Sequence, residues 1–192
     1  MALFVTSAFY AKSENEGHRI AILVNDEVIT TYDIVKRSKI YSIINQIIIT
    51  KENNALIANE VVDELIDEKL KLSKAQEYDT SITKEEINYY EKAFFQNRNL
   101  DSEHIYNIFS ENNISRNDFL EKIQSDIIWQ TLIGKLYYRL TSVSDIEIEE
   151  LLNNNPDLTI EEAKNNIIDK QLGLRSSKLL RDLRTEATIE YK

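Results

Sequence analysis

The sequence predicts a mainly α-helical fold carrying a small antiparallel β patch. Three observations predict it. Glycine and proline are scarce, at 3 and 1 in 192 residues, which disfavours tight turns and all-β architecture. Most of the chain falls into amphipathic stretches that open on helix-capping residues. Two short alternating segments, one near each end, have strand character, and a lone hairpin is marginal in water without a third strand.

The first strand segment is "RIAILVNDEVITTYDI" at 19–34. Ile20, Ile22 and Val24 alternate with Ala21 and Leu23, Asn25-Asp26 offers turn chemistry, and Val28-Ile29-Thr30 is β-branched again. From Thr31 a helix is expected, with Asp33 in its first turn, where the helix dipole favours negative charge. Its apolar positions are Ile34, Val35, Tyr41, Ile44 and Ile48. "TKENN" at 50–54 reads as a loop. A second helix follows from about Ala55 to Glu77, with Ala58, Val61, Val62, Leu65, Ile66 and Leu72 on one side and charged residues on most of the rest.

Thr83-Lys84-Glu85-Glu86 has capping-box spacing and opens a helix carrying Ile87, Tyr90 and Phe94. "QNRNLDSE" breaks it, and a short helix from about Asp101 to Glu111 presents Ile105, Ile108 and Phe109. Ser115 caps a long helix to Leu140, whose apolar face is Leu120, Ile123, Ile127, Leu132 and Leu136, with Trp129 beside it. Ser144 caps a short helix through Leu152. Asn153-Asn154-Asn155-Pro156 is the strongest linker signal, since proline disfavours the α conformation at the residue before it. Thr159-Ile160-Glu161-Glu162 is a second capping box. The last helix contains Gly173, expected to mark a kink or a close packing point. The closing "TEATIEYK" alternates Ala187, Ile189 and Tyr191, so a C-terminal strand is expected to pair with the hairpin.

Composition narrows the function. A formal charge of -10 argues against nucleic acid and anionic membrane surfaces, both of which require a basic face. The absence of cysteine excludes disulfides, thiol catalysis and Cys-ligated zinc. No stretch reaches the ~18 apolar residues of a spanning helix. MALFVTSAFYA at 1–11 resembles the end of a secretory signal, without the basic residues that ordinarily precede one. His18 and His104 both read as surface residues. The carboxylate clusters "DELIDEK", "DIEIEE" and "IEE" read as solvated helix faces and caps rather than acid–base pairs or cation sites. No catalytic residue, metal or cofactor is expected.

The aromatic run "INYYEKAFFQNRNLDSEHIYNIF" is the candidate binding surface. One helix cannot bury Tyr89, Tyr90, Phe94 and Phe95 on a single ~100° stripe. Together with Tyr106 and Phe109 they either pack into the core or line an apolar groove for unfolded segments. These six are the candidate peptide-binding residues.

In order, these pieces resemble the N-terminal domain of SurA-type periplasmic chaperones. The hairpin "AILVNDEVIT", the helix start "TYDI", and "VVDELIDEKLKLSKAQEYDTSITKEEI" carry the likeness. "FFQNRNLDSEHIYNIFSENNISRNDFLEKIQSDIIWQTL" continues it. "VSDIEIEELL" resembles the segment that leads into the family's parvulin-type prolyl isomerase domain, and "SSKLLRDLRTEATIEYK" resembles its C-terminal helix and strand. The chain departs from the family at 153–158, where only "NNNPDL" stands in place of that domain, and at Asp26, where glycine is more usual.

The resemblance implies an exported, ATP-independent holdase without isomerase activity, binding unfolded polypeptides such as outer-membrane proteins in the periplasm. The expected organisation is 1–18 signal and N-terminus, 19–152 SurA-like helical domain, 153–158 linker, and 159–192 returning helix and strand. Rival readings stay open: a parvulin-type isomerase, which the missing domain disfavours; a structural or assembly module gripping one folded partner or itself; and a homodimer formed by swapping the C-terminal helix.

Overall fold

The computed structural model describes residues 19–192, so the signal-like segment and His18 lie outside the described residues. Among the described residues, two strands come first, β1 (Ile20–Val24) and β2 (Glu27–Thr30). Seven helices follow: α1 (Thr31–Ile44), α2 (Asn54–Gln76), α3 (Lys84–Asn97), α4 (Ser102–Glu111), α5 (Arg116–Tyr137), α6 (Asp145–Asn154) and α7 (Ile160–Glu186). The last element is β3 (Ile189–Tyr191).

The sheet order is β2-β1-β3, all antiparallel. Ile22 faces Tyr191 and Val24 faces Ile189, so the C-terminal strand pairs with the hairpin as expected. Asn25 takes a left-handed φ of 53° and its side chain accepts from the Thr188 N–H at 2.9 Å. The Asp26 backbone is not left-handed, so this position of the turn does not require glycine. Asparagine and aspartate also take the left-handed positions at Asp79, Asn99 and Asn113. Their short polar side chains tolerate that conformation, so a chain poor in glycine can still turn.

Five of the described helices begin with reciprocal capping boxes: Thr30–Asp33, Thr83–Glu86, Ser115–Asp118, Ser144–Glu147 and Thr159–Glu162. Thr30 thus ends β2 and caps α1 at once. In the Thr83, Ser144 and Thr159 boxes the cap's backbone N–H holds the glutamate pKa below the ordinary carboxylate value. Asp101 caps α4 alone.

Three apolar clusters of the described residues fill the interior. Ile22, Val24 and Ile29 pack on Ile57, Val61, Leu65, Ile66 and Leu70 of α2. Ile40, Ile44, Phe95, Ile105, Phe109, Phe119 and Ile123 join α1, α3, α4 and α5. Ala75, Trp129, Leu132 and Ile133 receive Leu179, Leu180 and Leu183 of α7. Trp129 is buried there because its Nε1 donates to Ser176 Oγ of α7 at 2.8 Å.

Three expectations need correction. The helix from Thr31 stops at Ile44, so Ile48 lies beyond it, and Val35 is exposed on the outer face. The regular helix after Ser115 stops at Tyr137, and Tyr138–Leu140 form a 3-10 turn. Gly173 sits within an uninterrupted α7, and beyond its chain neighbours and the helix's own backbone no atom lies within 4 Å of where a Cβ would stand. It marks no close packing point and forgoes the ~1 kcal/mol that alanine would bring to a helix interior.

Candidate functional site

The most exposed large aliphatic side chain among the described residues, Ile48, lies just past the end of α1. Asn45 closes the helix, its side chain donating to Tyr41 O at 2.8 Å. Gln46 then takes a left-handed φ of 55°, a conformation that costs a residue other than glycine or asparagine on the order of 1–3 kcal/mol. The strained turn throws Ile47-Ile48-Ile49 outward. Asn53 holds them from behind, its Nδ2 donating to Ile48 O at 2.8 Å and its Oδ1 accepting from Thr50 N at 2.7 Å. Ile48 is 82% exposed, and its two neighbours are also exposed.

These isoleucines face Leu100, His104, Ile105 and Ile108 of the α4 region across a groove of about 720 Å³. Lys39 reaches the rim, donating to Asn112 O at 3.3 Å. A second groove of about 420 Å³ meets the first at Leu100 and is lined by Phe95, Tyr106, Glu91 and Arg116. His104 is exposed and touches the first groove, with no acid–base partner among the described residues. Among the described residues, no group of three His, Asp or Glu side chains is arranged to hold a metal ion.

The six aromatic candidates divide. Phe95 and Phe109 are 3% and 1% exposed, so the expectation that they line a peptide-binding face is corrected. With Phe94, Tyr106 and Phe119 they form a tight set of edge-on and tilted rings, centroids 5.1–6.2 Å apart. Phe94 and Tyr106 are half-buried at its edge, and Arg98 covers Phe94 with its guanidinium 4.1 Å from the ring centroid. Only Tyr89 and Tyr90 stand outside, as an edge-on pair on α3, with Tyr89 70% exposed. Four of the six rings thus pack against one another, two of them fully buried and two at the edge of the cluster.

One polar network locks this cluster. Arg116 donates to Glu91 through Nε at 2.7 Å and through Nη2, and the Tyr106 hydroxyl donates to Glu91 Oε1. Burial works against the Glu91 carboxylate, yet the hydrogen bonds from Arg116 and Tyr106 outweigh it and hold its pKa below the ordinary 4.5. Burial, and then the Glu91 bond, push the Tyr106 phenol up. A carboxylate with a depressed folded-state pKa contributes stability above the unfolded value and loses it as pH falls through the folded one. Urea midpoints measured from pH 6 down to 3 should therefore show wild type ahead of Glu91→Gln above about pH 4.5. The gap should close as the pH drops; a constant gap would mean the ionised form contributes nothing.

The grooves and the packed cluster lie entirely within a stretch matched by comparison with known proteins. Residues 1–133 match the family described as the SurA-like N-terminal domain. The chain belongs to that family. No curated protein matches it. The SurA-like region takes in the hairpin and α1–α4 and ends inside α5, so α6, α7 and β3 lie beyond it. The SurA-like reading made from the hairpin, the "LIDEKL" helix and the capped helices after it is thus borne out. Among the described residues, no helix is long and apolar enough to cross a membrane.

Apolar spacing alone hides the isoleucine ridge, because Ile48 continues the series that Tyr41 and Ile44 set in α1. A signal is nevertheless present in the sequence. Asn45-Gln46 interrupts the run, and three consecutive β-branched residues then fit an extended segment better than a helix end.

Proposed function

We propose that the chain is an ATP-independent holdase of the periplasm that binds unfolded exported polypeptides, outer-membrane proteins among them. The observation that carries this reading is the ridge of three exposed isoleucines beside an apolar groove inside the SurA-like region. A contiguous apolar patch rimmed by polar residues marks an interaction site. Its burial against a client drives capture without nucleotide, and a net charge of -10 keeps the protein dispersed while the patch is open. Tyr89 and Tyr90, with the half-buried Phe94 and Tyr106 behind them, extend the contact surface along α3. The turn between α6 and α7 stands where isomerase-bearing relatives carry their catalytic domain, and the chain works by binding alone.

Light scattering tests this. An unfolded outer-membrane β-barrel protein diluted from denaturant should aggregate less at a near-stoichiometric ratio of this protein, without nucleotide. Ile48→Ser should weaken that protection about tenfold, the effect of withdrawing most of one buried isoleucine, and leave the circular dichroism unchanged. Absence of protection by a folded sample would favour an assembly module instead. That second reading draws on Ile146, Ile160 and Leu174, which α6 and α7 expose and which fit a single folded partner.

A further inference from the structure

The backbone of the isoleucine ridge is only partly satisfied, and its open groups fall in a pattern. Residues 47–50 run without helix, turn or bend. The Ile47 N–H donates to Ser42 O at 2.9 Å, and its carbonyl accepts from the Ser42 hydroxyl. The Ile48 carbonyl is taken by Asn53, its N–H donates to no protein group among the described residues, and both backbone groups of Thr50 are taken by Asn53 and Asn54. Ile49 has neither: among the described residues its N–H donates to no protein group and its carbonyl accepts from none. In an antiparallel ladder every second residue offers both its N–H and its carbonyl to the same neighbour. Ile49 presents that pair open, next to a groove floored by Leu100, Ile105 and Ile108.

We propose that residues 47–50 receive an extended client segment by antiparallel strand pairing at Ile49, with the client's side chains seated in the isoleucine groove. This deepens the chaperone reading and rests on it. Strand addition takes its affinity from main-chain hydrogen bonds and so tolerates many sequences, while the groove selects alternate apolar side chains. Segment and groove together fit a β-branched stretch that is uncharged at its centre. The protein's charge of -10 favours basic flanks on that stretch. The same charge sets two copies of this chain against each other, which disfavours a second copy as the occupant.

The test uses the full chain and a fluorescein-labelled peptide of alternating valine and threonine with lysines at both ends. Two further forms carry N-methyl groups on the odd or on the even residues. Strand edges alternate, so one methylated set removes donors aimed at the protein and the other blocks donors aimed at solvent. Fluorescence anisotropy should show one methylated form bound about tenfold more weakly than the other, and peptide binding should slow hydrogen exchange at the Ile49 amide. Equal behaviour of the two methylated forms, or unchanged exchange at Ile49, overturns strand pairing. A sample that suppresses aggregation but ignores the peptide places client binding elsewhere and leaves the chaperone reading standing. Ile49 protection that rises with protein concentration alone, together with a doubled mass in sedimentation, assigns the ridge to a second copy. A folded sample that neither binds the peptide nor suppresses aggregation removes both readings.

Discussion

Phe119→Ala should destabilise the protein by about 3–5 kcal/mol, the range for truncating a buried phenylalanine. Phe119 is wholly buried and meets the rings of Phe94, Phe95, Tyr106 and Phe109. Its removal forfeits transfer free energy and opens a cavity between α3, α4 and α5. Ring–ring contacts worth roughly 0.5–1.5 kcal/mol beyond area burial go with it. Against a total stability of about 5–15 kcal/mol for a domain, that is a large share. The urea midpoint should fall accordingly, with the slope unchanged. Tyr89→Ala, on the exposed face of α3, should stay within about 0.5 kcal/mol of wild type. A small loss at Phe119 would show that the rings are loosely packed and free to turn outward toward a client.

The contrast between Phe119 and Tyr89 shows what the sequence could and could not carry. Helix starts were legible because a capping residue and a carboxylate three positions on are a local signal, as at Thr83 and Thr159. The three-stranded sheet was legible for a different reason: a hairpin at one end and an alternating tail at the other each lack a partner alone. The division of the aromatic residues was not legible. Phe94 and Phe95 are adjacent and chemically identical, yet Phe95 is buried between α4 and α5 while Phe94 meets Arg98 at the edge. Only the placement of neighbouring helices decides between them. Likewise the strain at Gln46, which turns Ile47–Ile49 out of α1, depends on backbone geometry that apolar spacing does not encode. Arg37 is the plainest case: no local signal in the sequence marks it, and the fold buries it.

Arg37→Met should cost about 3 kcal/mol, the low end of what breaking a buried ion pair costs, although methionine is apolar and fills much of the same space. Arg37 is 5% exposed, and its guanidinium grips Glu68 with Nη1–Oε2 at 2.6 Å and Nη2–Oε1 at 3.3 Å. That fork ties α1 to α2, beside a cavity of about 130 Å³ that Phe94 and Phe119 also line. The arginine adds little net attraction, because two charges withdrawn from water offset most of what their pairing returns. The loss in the single variant comes instead from Glu68, left largely buried with its countercharge gone, where breaking a buried pair costs roughly 3–5 kcal/mol. Arg37→Met combined with Glu68→Leu should therefore recover to within about 1 kcal/mol of wild type, since no uncompensated charge remains. Urea denaturation of the two singles and the double separates these terms. A double variant as unstable as the worse single would mean that the fork itself sets how α1 meets α2. Client capture by that double variant then becomes informative, because α1 carries the isoleucine ridge at its end and α2 begins just beyond it. A stable double with intact capture would show that the fork holds no part of the groove's geometry.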